Sequence, residues 1–147
     1  MEFKSGKHAG KTTEEVLMKQ PDFARWYVRN HPDSPHAKAF GQCAKAFGEK
    51  PFTEKCQGKC GNRATRATAY RGTHGLMFWC NDCNPVSSGA EGQKLSVVRT
   101  IRDVLDHIEL TANGNRDYMR RIVRELAEGK GLKSPISKKK LETFFSK

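Results

Sequence analysis

The chain has 147 residues, a length that allows one ordinary domain or two small modules. Hydrophobic residues make up 36% of it and charged residues 29%, a composition that allows a modest core and excludes a wholly disordered chain. No apolar run approaches the roughly 20 residues that a membrane helix needs, and the first ten residues, MEFKSGKHAG, lack the apolar core of a signal peptide. We therefore expect a soluble cytoplasmic (intracellular) protein with no membrane partner, whose formal net charge of +11 attracts polyanions, chiefly nucleic acid.

The first third of the chain is predicted to form short helices. Thr12 and Glu15 have the spacing of a capping box, in which each side chain binds the backbone N–H of the other residue. Pro21 fits the first turn of a second helix. Ser34, which is followed by a proline, opens a third helix that carries an apolar stripe. Cys43 lies on that stripe, so we expect it to be a buried structural thiol.

The segment SGKHAGKTTEEV, from Ser5 to Val16, has the letters of a phosphate-binding loop but not its spacing. A Walker A loop has four residues between its first glycine and the Gly-Lys-Thr, whereas three residues separate Gly6 from Gly10. Loop length matters because successive backbone N–H groups must surround the phosphates. The parallel-sheet strand that should precede such a loop is also missing, so we expect no ATPase or GTPase site here.

The same segment resembles the small domain at the C-terminus of exodeoxyribonuclease X-like proteins and of related phage and bacterial proteins. The matching residues are Phe3, Gly6, Lys7, Gly10, Lys11, Thr12, Glu15, Val16, Pro21, Asp22, Phe23 and Trp26. The resemblance implies a glycine-shaped hairpin on which aromatic side chains pack, in an accessory module of nucleic-acid enzymes. It does not imply the exonuclease activity, since the acidic residues that bind the catalytic metal lie in another domain of those proteins.

Two cysteine pairs flank a predicted β-hairpin with arms at residues 64–70 and 76–79. The pairs have the spacings C-x3-C and C-x2-C, and they are Cys56 with Cys60 and Cys80 with Cys83. Paired cysteines around a hairpin resemble a zinc ribbon, in which four thiolates hold one structural Zn²⁺. Two disulfides or an iron–sulfur cluster are the alternatives, although an intracellular chain argues against disulfides. His74 in the turn would be a ligand only if one cysteine were not.

The rest of the chain is predicted to be helical. A Pro-, Ser- and Gly-rich linker at 84–93 precedes one helix at about 96–109 and a second at about 116–128. Ser137 can cap a last short helix, in which residues 138–140 are all lysine.

Basic side chains in three places are candidates for nucleic-acid contact, with a solvated surface as the alternative in each. In the glycine loop they are Lys4, Lys7 and Lys11. In the ribbon they are Arg63, Arg66 and Arg71, together with Trp79, which can stack on a base. In the second C-terminal helix they form a stripe, Arg116, Arg120, Arg121 and Arg124.

Short fragments of the chain resemble HNH nucleases, but their order differs. In those enzymes the Asp-His pair precedes the second cysteine pair, whereas Asp106 and His107 follow it here, inside a helix with an apolar face. We therefore predict no catalytic residues.

These observations predict an α+β protein in three parts: a small helical module with an N-terminal hairpin at 1–52, a zinc-ribbon β-hairpin at 53–86, and a linker with a basic helical region at 87–147. The predicted function is non-enzymatic binding of nucleic acid, DNA rather than RNA, by a zinc protein of phage type that assists replication, repair or transcription and has a protein partner there. One alternative is a zinc-ribbon protein-interaction adaptor or an inhibitor of a nucleic-acid enzyme. The other is a metal-dependent nuclease.

Overall fold

The structure is a computed structural model that describes residues 1–70, 75–83, 95–133 and 135–146. These residues form six helices and one three-stranded antiparallel sheet, and so confirm the α+β class that the sequence predicted. The helices are α1 (Thr13–Lys19), α2 (Pro21–Asn30), α3 (Pro35–Glu49), α4 (Ile101–Thr111), α5 (Arg116–Gly129) and α6 (Lys138–Ser146). The strands are β1 (Arg66–Tyr70), β2 (Met77–Trp79) and β3 (Leu95–Val98). Within the described ranges, no helix is long and apolar enough to cross a membrane.

The helix starts follow the capping chemistry of the sequence. Thr12 and Glu15 form the predicted capping box at α1, and Pro21 stands in the first turn of α2. The Ser34 side chain accepts a hydrogen bond from the third backbone N–H that follows it and so caps α3. A second capping box, which the sequence analysis did not predict, links Thr100 to the residue three positions on and begins α4.

The segment before α4 is a strand, and the prediction of a helix from residue 96 is wrong there. Leu95–Val98 pairs antiparallel with β1, with Ala67 opposite Val98 and Tyr70 opposite Leu95. Two adjacent valines favour an extended backbone, and the capping box at Thr100 places the helix start after them. The predicted hairpin of β1 and β2 is therefore two strands of a three-stranded sheet in the order β2-β1-β3.

A single hydrophobic core extends from Phe3 to Phe144 and crosses all three predicted parts of the chain. Helix α1 packs on α2, α3, α5 and α6, and α4 packs on α5 and on β3. Fully buried side chains such as Phe47 of α3 and Ile122 of α5 belong to this core, where each stabilises the fold by about 1.5–3 kcal/mol relative to exposure. The domain boundaries at residues 52 and 86 stay predictions from the sequence. The core packing is continuous across residue 52.

Candidate metal centre and basic surfaces

The four predicted ligands come together at one end of the sheet. Cys56 and Cys60 lie in the loop before β1, and Cys80 and Cys83 lie in the turn after β2. The Sγ atoms of these four cysteines are all within 4.8 Å of one another. Four sulfurs at about 2.3 Å from a tetrahedral metal ion are about 3.8 Å apart. The cluster therefore has the donor set and the size to hold one metal ion.

Within and just after the first cysteine loop, residues 56–60, backbone N–H groups donate hydrogen bonds to the cysteine sulfurs. The N–H of Gly58 donates to Cys56 Sγ at 3.3 Å, and the N–H of Asn62 donates to Cys60 Sγ at 3.4 Å. The base of the loop is closed by a hydrogen bond of 2.8 Å from the Cys56 N–H to the Asn62 carbonyl. Hydrogen bonds to sulfur favour the thiolate, which is the form that binds a metal.

The second cysteine loop, residues 80–83, does the same for Cys80. The backbone N–H of Cys83, then the hydrogen bond with Cys60 and then the backbone N–H of Asp82 lower the pKa of the Cys80 thiol to about 6. Hydrogen bonds with the Cys60 and Cys80 sulfurs raise the pKa of Cys83 to about 12, because a second thiolate beside the first is unfavourable without a cation. A bound metal ion would remove this penalty and release the remaining protons.

Strand β2 fixes the first cysteine loop relative to the second. Gln57 makes two hydrogen bonds to the backbone of Phe78. Its N–H donates to the Phe78 carbonyl at 2.8 Å, and its side-chain oxygen accepts from the Phe78 N–H at 2.7 Å. On the other side of the site, the Asn81 side chain accepts hydrogen bonds from Thr65 and from Arg66. The two loops are therefore positioned by the sheet and by each other.

The aromatic and basic candidates of the ribbon have different environments. Arg63 is exposed, whereas Arg66 is half-buried and its guanidinium binds Asn81. Trp79 is half-buried and donates its indole N–H to Thr68 Oγ1 at 2.9 Å, which ties it to the central strand. Arg71 and His74 lie outside the described residues, as does the linker at 84–93.

The glycine loop forms the expected hairpin, and several of its backbone N–H groups are used within the hairpin. Gly6 and Gly10 have φ values of 82° and 84°, which side chains rarely allow. The N–H groups of Ala9, Gly10 and Lys11 all donate to carbonyls of the hairpin itself. They are therefore not available to surround a phosphate. Among the candidate lysines, Lys4 and Lys7 are exposed, and Lys11 is half-buried.

The four arginines of α5 are exposed, and three of them also have contacts within the protein. Arg116 Nε is 3.3 Å from the Asp22 carboxylate, and Arg120 Nε donates to the Lys19 carbonyl at 3.1 Å, so both connect α5 to the N-terminal helices. Arg121 Nε binds the Glu125 carboxylate at 2.8 Å. Arg124, the fourth, also faces solvent. The stripe is thus accessible and partly engaged in packing.

His107 is buried, with 1% of its surface exposed. Its Nε2 lies 3.4 Å from the Tyr118 hydroxyl, which in turn donates to the Tyr70 carbonyl at 3.3 Å. Burial lowers the pKa of His107. In this arrangement the buried imidazole joins α4, α5 and β1.

Cys43 is the buried thiol that the sequence predicted, with 8% of its surface exposed. Its Sγ is 3.4 Å from the Glu14 carboxylate, and burial raises the pKa of the thiol to about 11. It is not part of the sulfur cluster.

Two buried basic residues had no signal in the sequence. Lys130 has 4% and His8 has 3% of its surface exposed, although each stands in a polar, glycine-rich segment. Burial of such residues is set by long-range packing, which a local pattern does not encode.

Comparisons with protein-family models, with curated proteins and with solved structures find no match to this chain. The resemblance to the exodeoxyribonuclease X-like accessory domain and to zinc ribbons therefore stays a prediction from the sequence. What the structure establishes is the sulfur cluster and the surfaces around it.

Proposed function

We propose that this chain is a non-enzymatic nucleic-acid-binding protein that is organised around one structural zinc ion and assists DNA replication, repair or transcription. The observation that carries the proposal is the exposure of its basic side chains: Lys4, Lys7, Arg63, Arg116, Arg120, Arg121 and Arg124 all lie at the surface. Lysine and arginine at the surface of a chain with net charge +11 favour contact with phosphates.

Zinc is the metal that this donor set favours. Four thiolates suit tetrahedral Zn²⁺ and leave no open coordination position, so the ion would be structural. The Sγ atoms of Cys60 and Cys80 are 3.5 Å apart, whereas a disulfide needs about 2.05 Å. An iron–sulfur cluster would use the same four ligands, and the metal content distinguishes the two.

The mode of binding that we propose is contact with the phosphate backbone. The exposed basic residues lie on the N-terminal hairpin, beside the first cysteine loop and along α5, which suits a positioning role more than readout of bases. We favour DNA over RNA and a phage-encoded accessory protein with a protein partner, on the resemblance of the N-terminal third.

The binding test is a titration of labelled single- and double-stranded DNA and RNA at several salt concentrations. Neutralising phosphates releases counterions, so the logarithm of the affinity should fall linearly with the logarithm of the salt concentration, with a slope of about −0.9 per contact on duplex DNA. A triple variant, Arg116→Gln, Arg120→Gln and Arg124→Gln, should reduce both the affinity and the slope. Absence of binding at low salt, or a flat salt dependence, would reject the proposal.

The metal test is elemental analysis of the purified protein. About one zinc per chain is the expected result. Iron with visible absorbance would indicate a cluster instead, and a fully folded protein without metal would reject the structural site.

The two alternatives have distinct outcomes in the same series of experiments. An adaptor or inhibitor would form a stoichiometric complex with a purified polymerase or nuclease after all nucleic acid has been digested. A nuclease would cleave DNA or RNA when Mg²⁺ or Mn²⁺ is added, and would lose that activity in a variant of His107.

A further inference from the structure

A cavity of about 630 Å³ lies where the end of α3, the α5–α6 connection and α6 meet. Its charged lining residues are all lysines, and we call it the lysine pocket: Lys50, Lys130, Lys133, Lys139 and Lys140. Within the described part of the chain, no acidic side chain lines it. The volume falls within the range of about 300–1,000 Å³ that is usual for ligand sites.

Lys130 supplies a fixed positive charge at the base of the lysine pocket. Its ammonium group donates to the carbonyls of Phe47 and Gly48, at 2.8 and 3.3 Å, and lies about 5 Å from the ring centres of Phe47 and Phe52. These neutral acceptors hold the charge in place without neutralising it. The negative charge of Asp103 in α4 already acts on this ammonium, and an anion in the pocket would add further countercharge to the buried cation.

The first turn of α6 supplies further charge in an unfavourable position. Residues 138–140 are lysines, and the first turn of α6 contains no acidic residue. The N-terminal end of a helix carries a partial positive charge, so lysines there destabilise the helix, and an anion would stabilise it. A local conflict of this kind is typical of functional sites.

The frame of the lysine pocket is well packed. Leu141 and Phe144 bury α6 in the core, and the Phe144 ring lies 6.2 Å from that of Phe47. The Lys140 ammonium donates a hydrogen bond to the Lys133 carbonyl at 3.4 Å, which links the first turn of α6 to the α5–α6 connection. The Glu54 carboxylate is 3.9 Å from the Lys133 ammonium and is partly exposed. Lys139 and Lys140 therefore lie on a helix that the core holds, and Lys50 and Lys130 directly follow the ends of α3 and α5.

We propose that the lysine pocket is a phosphate-binding site that takes backbone phosphates of the bound nucleic acid. This inference rests on the proposed function, and it adds a surface in the last third of the chain to the three basic surfaces predicted from the sequence. The bound phosphates interact with Lys130 at the base and with Lys139 and Lys140 at the start of α6.

The experiment compares two variants of equal charge. Lys139→Gln with Lys140→Gln removes two exposed charges of the lysine pocket, and Lys38→Gln with Lys45→Gln removes two exposed charges from the outer face of α3. In titrations of the zinc-loaded full chain with labelled DNA, the first pair should lose about tenfold in affinity at 0.1 M salt and its salt slope should become shallower by about 2. The α3 pair should remain within about twofold of the unmodified protein.

A second measurement separates this inference from the proposed function. Inorganic tripolyphosphate, as a probe of phosphate chemistry, should raise the melting temperature of the unmodified chain and of the α3 pair, and should not raise that of the Lys139/Lys140 pair. If DNA binds equally well to all three proteins, the pocket proposal is wrong while the proposed function stands. If DNA does not bind but tripolyphosphate stabilises as expected, the pocket takes a free polyphosphate and both the nucleic-acid function and its assignment to this pocket fail.

Discussion

Gly58 lies against the side chain of Cys83. A Cβ atom at position 58 would be 2.6 Å from the Cys83 Sγ and 2.9 Å from its Cβ, distances that no side chain tolerates. The two cysteine loops therefore approach each other as closely as they do because residue 58 is glycine. This contact joins the two halves of the metal site.

Gly58→Ala should weaken metal binding at least tenfold, because the new methyl group displaces a ligand. The affinity is measured by competition with a coloured zinc chelator. Gly41→Ala is the matched control: position 41 lies in α3 with open space around its Cβ, so this change should leave the metal affinity as it is and stabilise the helix by up to about 1 kcal/mol. Equal metal affinities for the two variants would contradict the contact.

Replacement of a cluster cysteine should have a different effect from replacement of Cys43. Cys60→Ser removes one of four sulfur ligands, so the purified protein should contain well under one metal ion per chain and should unfold at lower temperature. Cys43→Ser should keep the full metal content, since Cys43 is outside the cluster. Loss of metal from the Cys43 variant, measured by elemental analysis, would show that the ligand set is wrong.

Metal removal should expose Trp79. Its indole N–H binds Thr68 in the sheet next to the cysteine loops, whereas Trp26, the other tryptophan, is 53% exposed already. In a Trp26→Phe background, addition of a chelator should shift the fluorescence emission to longer wavelength, and zinc should restore it. An unchanged spectrum after complete metal removal would mean that the sheet does not depend on the metal.

Acid should destabilise the protein in part through His8. Its ring is buried between Phe3 and Phe23, and within the described residues neither ring nitrogen has a hydrogen-bond partner. Burial, and then the charges of Lys11 and Lys7, lower its pKa. The unfolded chain therefore binds the proton first, and stability falls as the pH drops below about 6.5, by at most about 1.4 kcal/mol per pH unit.

The measurement for His8 is urea denaturation at a series of pH values between 7.5 and 4.5. His8→Phe should flatten the dependence relative to the unmodified protein, and His31→Gln, a change of an exposed histidine, should not. His107 adds to the dependence in the same direction, because burial lowers its pKa as well. Parallel curves for the His8 variant and the unmodified protein would contradict this explanation.

Lys130 should contribute to stability mainly by its carbon chain and its hydrogen bonds. Lys130→Met keeps the length but leaves the carbonyls of Phe47 and Gly48 without this donor, which costs about 1–3 kcal/mol and is partly offset by removal of a buried charge. Lys130→Ala also opens a cavity and should cost about 2 kcal/mol more. Denaturant titrations give both values, and equal losses would mean that packing of the stem is unimportant.

The pH dependence of Lys130 has a definite sign. Burial lowers its pKa to about 8, so between that value and about 10.5 the unfolded chain binds more protons than the folded one. The stability of the unmodified protein relative to Lys130→Met should therefore increase as the pH rises from 8 to 10. A constant difference over this range would show that the ammonium is not desolvated.

The local elements of this fold could be read from the sequence because their signals are local. The capping box of Thr12 with Glu15 and the proline at residue 21 place helix starts through contacts within one turn. The start of α4 was misplaced because the valines at 97 and 98 also fit one face of a helix. Only the partner strand β1, which is distant in the chain, makes that segment a strand.

The sequence by itself determined the helices of the first third, the α+β class and the four cysteines that could hold a metal ion, since spacing along the chain and side-chain chemistry suffice for each. Tertiary structure alone decided that β3 completes the sheet, that His8 and Lys130 are buried, that Arg66 binds Asn81, and that lysines from three segments surround one cavity. The physical reason is distance along the chain. Contacts between residues that are far apart in sequence depend on how the whole core packs, and no short pattern of residues encodes that packing.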